Sequence, residues 1–272
     1  MHKVEVSDQE WTDLLALRDG IKSIRHRDAL ANSPCMSLYR PLADRGKPFV
    51  LAQVGQSLDG RVATPSGDAR DVSGSDGIVH LHRCRALVDA VIVGVGTIIA
   101  DDPSLSVRAV DGPSPVRVVV DCNGRIPNDA KFFSDGGERI IIIRADDIDH
   151  RLEGAEIIRL PRRANGLDVE DILGALGKLG LNSVLIEGGA RTIARFLDAG
   201  AVDRLHIAVA PLIIGSGPNG ISLPPVQRLA EAQRPKIEVY DIGTDVLFDC
   251  DFRHEQAQIY NPLSDGRART SA

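Results

Sequence analysis

The chain has 272 residues, 43% hydrophobic and 26% charged, with a formal net charge of −6. This is enough to build one large or two small globular units around a substantial core. The negative balance argues against long-range attraction to nucleic acid or an anionic membrane surface. No apolar run approaches the roughly 18 residues a membrane span needs, and the polar start MHKVEVSDQEW lacks the apolar centre of a secretory signal. A cytoplasmic location is therefore expected. Cys35, Cys84, Cys122 and Cys250 are widely spaced and form no CxxC pair. They read as free thiols, with no disulfide framework and no metal site.

Residues 1–46 read as a helical N-terminal extension. In DQEWTDLLALRDGIKSI, Trp11, Leu14, Leu15 and Leu17 recur at near-helical spacing, with Ser7 or Asp8 available as the cap. A looser charged stretch follows, punctuated by Asn32-Ser33-Pro34 and Asp44-Arg45-Gly46. From Phe49 the pattern changes. FVLAQVG, DAVIVGVG, VRVVVD, RIIIIR, AEIIRL and NSVLIEGG are short, nearly continuous apolar runs rich in Val and Ile. Such runs suit strands covered on both faces, as in a parallel sheet between two helical layers. SGSDGIVHLHRCRALV, LDVEDILGALGKLG and ARTIARFLDAG supply helices between them, the last two ending in Gly180 and Gly200. DRLHIAVAPLIIG, a Gly/Pro-rich loop, PKIEVYDIG and DVLFDCDFR then predict antiparallel strands at the end of the sheet. The division expected is a main α/β domain over 47–254 and a polar tail over 255–272.

Ligands of an open α/β sheet bind beyond the carboxyl ends of its strands, which singles out four segments. QSLDGRVATPSGD follows the first strand and carries Gly55 and Asp59; it suits a polar turn equally well. VGVGTIIADDPSLSVR holds Gly94, Gly96, Thr97 and Asp101, part of a dinucleotide fingerprint without its third glycine. Its paired acids have no further oxygen ligands at metal-binding spacing. VVVDCNGR brings Arg125 four residues after Asp121, where an arginine can take a 2′-phosphate or simply sit in a solvated turn. In VLIEGGARTIARFL, Glu187 ends a buried strand, and Gly188-Gly189 lead into a helix whose first amides face whatever lies ahead. His80 and His82 are two apart on a helix, face different directions and do not make a metal pair.

Together SLDGR, ATPSGD, HRCRALVDAVIVGVGTIIADDPSLSVR, RVVVD and LIEGGARTIARFLDAGAVDRLHIAVAPLIIG resemble, in this order and over residues 48–253, the reductase of riboflavin biosynthesis. That enzyme forms the C-terminal half of the bacterial deaminase–reductase and stands alone in archaea and fungi. The resemblance implies a fold like dihydrofolate reductase: a mostly parallel sheet, helices on both faces, antiparallel C-terminal strands. It implies NADPH-dependent reduction of a phosphorylated ribosylaminopyrimidine, ribose becoming ribityl, in a homodimer. By the same resemblance Gly55, Thr97, Asp101 and the loop Gly189–Arg195, with Ala190, Arg191 and Thr192, contact the cofactor; Gly188 and Arg125 are added as cofactor candidates from their places after the strands. Arg85, Leu105, Arg108 and Glu187 contact the substrate, the two arginines suiting a phosphate. Cys122 stands where a Ser often contacts the cofactor, and a thiol is the weaker donor.

Asp71-Val72-Ser73 replaces the family's Trp-Ile-Thr or Trp-Val-Thr, and an Asp there removes stacking area near a nucleotide. The deaminase signature H-x-E with P-C-x-x-C is not matched around Pro34-Cys35, so a separate deaminase is expected. Asp59 and Glu187 are the candidate acid and orienting groups. Two alternatives stand beside this reading: a dihydrofolate-reductase-like enzyme on a pterin or another pyrimidine, and a non-catalytic nucleotide-binding dimer.

Overall fold

The computed structural model describes residues 1–21, 33–44, 46–149 and 152–253. In chain order these form β1 (His2–Lys3), α1 (Asp8–Arg18), α2 (Pro34–Ala43), β2 (Phe49–Ser57), α3 (Ser75–Leu87), β3 (Ala90–Gly94), α4 (Val95–Asp101), β4 (Val116–Val120), β5 (Ile140–Ala145), β6 (Glu156–Leu160) and the small hairpin β7 (Arg162–Arg163) and β8 (Gly166–Leu167). Then come α5 (Val169–Lys178), β9 (Ser183–Ile186), α6 (Ala190–Asp198), β10 (Arg204–Ala210), β11 (Lys236–Asp241) and β12 (Val246–Asp251). The predicted polar tail lies outside the described residues.

Ten strands make one sheet in the order β1-β11-β12-β10-β2-β9-β3-β4-β5-β6. From β10 to β6 every neighbouring pair is parallel, and β12 is antiparallel to both β10 and β11. This is the mixed sheet expected from the continuous apolar runs and the terminal hairpin. The pleat divides the core into two layers. Val91 and Val93 of β3 join Leu14, Leu38, Leu42, Leu87 and Ile98 on one face. Ala90 and Ile92 join Ile172, Leu176, Ile193 and Leu197 on the other. Truncating a fully buried leucine such as Leu42 or Leu176 should cost about 2–5 kcal/mol.

The N-terminal helices belong to the first layer: Leu14, Cys35, Met36, Leu38, Tyr39 and Leu42 are all part of that core cluster. Ser7 caps α1 in a reciprocal capping box with Glu10, and Glu10 also accepts a 2.6 Å bond from Ser33 Oγ. Within the stretch read as loose, residues 34–43 are helical. Ser33 is the N-cap and Pro34 the first helical residue, so a second helix of the N-terminal extension starts inside the looser stretch.

Helix α3 is capped from far along the chain. Its N-cap, Gly74, has no side chain to offer. Asp245, in the turn between β11 and β12, accepts from the Gly74 amide at 3.0 Å, while Thr244 Oγ1 accepts from Asp76 N at 3.2 Å. The C-terminal hairpin thus fixes the start of the helix that carries Arg85.

Candidate active site

The sheet delivers its polar residues where β2, β9, β3 and β4 end side by side. At the end of β9, Glu187 N donates to Ile92 O at 2.9 Å. The chain then turns through Gly188 and Gly189 at φ +64° and +52°, conformations that cost a side-chain-bearing residue. Gly188 serves a second purpose. A Cβ on it would lie 2.8 Å from Thr97 Oγ1, so the turn packs bare against the α4 segment. Likewise Gly94 leaves room for Thr192 Oγ1. The two glycine-bearing turns interlock, and no side chain caps α6. Its first amides, at Ala190 and Arg191, therefore have no partner within the helix.

Two adjoining cavities meet at this turn, sharing Gly96, Thr97, Gly189, Ala190 and Pro218. The first, about 610 Å³, runs over Cys122 and Arg125 to Arg162, Arg191 and Arg195. Among the described residues, four arginines and no carboxylate line it, a chemistry suited to a polyanion. The second, about 480 Å³, is more apolar, with Val54, Val62, Ile78, Leu81 and Ile193 around Asp101 and Glu187. Gly55 belongs to this second cavity and gives Ser73 its room, since a Cβ there would fall 2.3 Å from Ser73 Oγ.

Glu187 is 6% exposed and doubly held: Arg85 Nε donates to Oε1 at 2.7 Å and Arg85 Nη2 to Oε2 at 2.6 Å. Arg85 Nη1 donates to Ser106 O at 3.1 Å. The guanidinium that sequence reading reserved for a substrate phosphate is engaged by protein, and Arg85 does not line either cavity. Leu105 is 2% exposed and packs in the core, although its backbone is left-handed at φ +58°. Arg108 keeps an exposed side chain, while its amide donates to His82 Nδ1 at 3.1 Å. Burial, with Arg85 and Arg108 nearby, pulls the His82 pKa down to about 4, so the ring stays neutral and able to accept that bond.

Asp59 requires a larger correction. It accepts from Ser57 Oγ at 2.6 Å, Ile214 N at 3.1 Å and Gly215 N at 2.6 Å, and lies outside both cavities. Those bonds hold its pKa at about 2. It is a loop clamp and a poor proton donor. Asp101 does line the second cavity, with an exposed side chain, and desolvation there raises its pKa from the ordinary value. Cys122 lines the first cavity, and its Sγ accepts from Arg162 Nη1 at 3.3 Å. Asp71 is exposed and faces neither cavity; its neighbour Ser73 does.

Arg162 was not legible in the sequence. It stands on the small β7–β8 hairpin and bonds Asn123 Oδ1 at 2.8 Å and both oxygens of Asp147 at 2.8 Å, which aims it over Cys122. Arg195 could be found only as part of the loop after Gly189; helical periodicity places it on the same side as Arg191.

Residues 48–248 match the RibD C-terminal domain. The chain belongs to that family. Among RibD-family relatives, the 2,5-diamino-6-ribosylamino-4(3H)-pyrimidinone 5′-phosphate reductase of Methanothermobacter thermautotrophicus is 30% identical over 214 residues, covering 75% of this chain and 97% of the archaeal protein. The riboflavin biosynthesis protein RibD of Actinobacillus pleuropneumoniae is 30% identical over 212 residues, 75% of this chain and 56% of that protein. The chain thus spans little more than half the length of the bacterial RibD proteins it matches. In structure, the RibD domain here superposes on the Thermotoga maritima diaminohydroxyphosphoribosylaminopyrimidine deaminase/5-amino-6-(5-phosphoribosylamino)uracil reductase with a TM-score of 0.66, 25% identity, and coverage of 78% of this chain and 59% of that one. Acinetobacter baumannii RibD gives 0.66 at 28% identity, covering 78% and 60%. No helix among the described residues is long and apolar enough to cross a membrane.

Proposed function

We propose that this chain is an NADPH-dependent reductase of a phosphorylated ribosylaminopyrimidine, converting its ribose to a ribityl chain. The observation that carries the reading is the junction at Thr97 and Gly189 of an arginine-lined cavity with an apolar one holding two carboxylates. The first fits a phosphorylated dinucleotide: Arg125 and Arg191 for its phosphates, and the uncapped amides at the start of α6 for the diphosphate. The second fits a flat heterocycle carrying a sugar.

The bound nicotinamide supplies a hydride. The chain supplies position and protons. The substrate's N-glycoside opens to an imine, and its sugar carbon must lie at the junction of the two cavities, beside the Gly188-Gly189 turn. Reduction of the C=N bond leaves charge on nitrogen, which takes a proton. Asp101 is placed to give it and, being exposed, to recover one from solvent. Glu187, fixed by Arg85, has lone pairs left to accept from an N–H or O–H of the substrate. Arg108, exposed beside His82, is the cation available to the sugar phosphate.

The test is NADPH oxidation by the purified chain, with the ribosylaminopyrimidine phosphate and with dihydrofolate run in parallel. Turnover on the first alone supports the proposal. Turnover on dihydrofolate alone, or saturable NADPH binding with neither substrate consumed, refutes it.

A further inference from the structure

Behind the active site, on the α2–α3 face of the sheet, lies a cluster that the reaction does not use. His80 and Cys84 are one turn apart on α3 and point the same way. His206 comes up to meet them from β10. His80 Nε2 lies 3.2 Å from His206 Nδ1, and Cys84 Sγ lies 3.6 Å and 3.9 Å from those two nitrogens. All three side chains are buried, His80, Cys84 and His206 each at 0% exposure.

These distances have a chemical meaning. A tetrahedral zinc ion has bonds of about 2.0–2.1 Å to imidazole nitrogen and about 2.3 Å to thiolate. That geometry separates two such nitrogens by about 3.4 Å and a nitrogen from the sulfur by about 3.6 Å. The observed triangle has nearly those edges. One outer nitrogen is held by a hydrogen bond, as metal-bound imidazoles require: His80 Nδ1 lies 2.8 Å from the Tyr39 hydroxyl. His206 Nε2 makes no hydrogen bond among the described residues and faces Asp249 Oδ1, equally unbonded, at 3.5 Å. Gln53 pairs with His206 in register between β2 and β10, so it shares the sheet face. Its Oε1 is buried and has no hydrogen-bond partner among the described residues. A dication there would meet one thiolate and, beyond His206, the Asp249 carboxylate, which also accepts from Arg204 Nη1 at 2.7 Å.

We infer that His80, Cys84 and His206 form a structural site for a zinc-like divalent ion, pinning α3 to the central sheet. The site joins α3, which holds Arg85, to β10, and the hydrogen bond between His80 and Tyr39 extends the link into α2.

The rival arrangement is a dry hydrogen-bond chain: Tyr39 hydroxyl to His80, His80 to His206, His206 toward Asp249. The full chain, stripped with a chelator and dialysed against zinc chloride, decides between them by elemental analysis, thermal unfolding and cobalt substitution. The ion site predicts about one zinc per chain, a higher unfolding temperature with zinc, and a cobalt form with intense tetrahedral visible bands and a thiolate charge-transfer band. Cys84→Ala should bind NADPH yet lose the charge-transfer band. Should that variant not fold, the wild-type cobalt spectrum decides alone. Absence of retained zinc and of the cobalt bands in the wild-type chain overturns the inference, as does equal zinc uptake by a folded Cys84→Ala variant.

Discussion

Arg85 and Glu187 grip each other with two parallel hydrogen bonds of 2.7 and 2.6 Å, each side chain only 7% exposed, across the gap between α3 and the end of β9. The pair fixes the carboxylate in the lining of the second cavity and ties the two elements together. Removing one member leaves the other charged and buried, so Arg85→Ala should cost about 3–5 kcal/mol of stability in chemical denaturation. Glu187→Gln should keep NADPH binding, measured by fluorescence titration, and lose most of its turnover. Full activity in Glu187→Gln would remove the residue from the reaction.

The two remaining carboxylates should separate in kinetics. Asp101→Asn should lower kcat by about 100-fold or more, the usual worth of a positioned acid. In the parent enzyme, activity should fall as pH rises through the elevated pKa of Asp101, and this limb should vanish in the variant. Asp59→Asn should retain the limb and most of kcat, because Asp59 only holds the backbone at Ile214 and Gly215. A pH–rate profile of both variants is the measurement.

Loss of a cation from the larger cavity should act on one cofactor more than the other. Arg125→Ala and Arg191→Ala should each raise KM for NADPH by about tenfold, the worth of one charged hydrogen bond, with a smaller effect on NADH. Equal effects on both cofactors would place these arginines away from the 2′-phosphate.

The bare turn against Thr97 makes Gly188 sensitive to a single methyl. Gly188→Ala combines a left-handed backbone, worth about 1–2 kcal/mol, with a 2.8 Å contact to Thr97 Oγ1. A lower unfolding temperature and weaker NADPH binding are expected, with binding partly restored by adding Thr97→Gly.

His82 should leave a mark on stability against pH. Its folded pKa, about 4, lies below the ordinary value of 6.5. Between these values the unfolded chain carries the proton and the folded chain does not. Stability from this group is therefore complete above about pH 6.5 and is lost as pH falls toward 4, at up to about 1.4 kcal/mol per pH unit. Urea titrations across this range should show a shallower slope in His82→Asn, whose amide oxygen can still accept from the Arg108 amide.

The strands of the sheet were legible because burial on both faces writes itself as unbroken Val and Ile. The interlocked glycines 94, 188 and 189 were legible for a similar reason: a backbone that must turn sharply or approach closely leaves a residue type behind. What the sequence hid depends on distance along the chain. Nothing near Asp59 shows that its oxygens are taken by amides more than 150 residues away, and nothing near Arg85 shows that Glu187 fills its fork. Arg162 has no local signal, since its role arises from a two-residue hairpin folding over Cys122. Helix α2 was not marked off within the looser stretch because Ser33-Pro34 starts a helix as readily as it makes a turn. His80 was weighed against His82, its neighbour in sequence, when its neighbours in space are Cys84, on the next turn of α3, and His206.

Strand β1 is only two residues long, yet it lies parallel on the outer edge of β11, with His2 beside Tyr240 and Lys3 beside Asp241, and Val4 N donates to Asp241 O at 2.8 Å. It occupies backbone groups that would otherwise stand ready to recruit a foreign strand. Trimming the first five residues, or burdening them with a bulky affinity tag, should turn that flank into a nucleus for clumping, seen as light scattering on gentle warming well before the fold itself gives way.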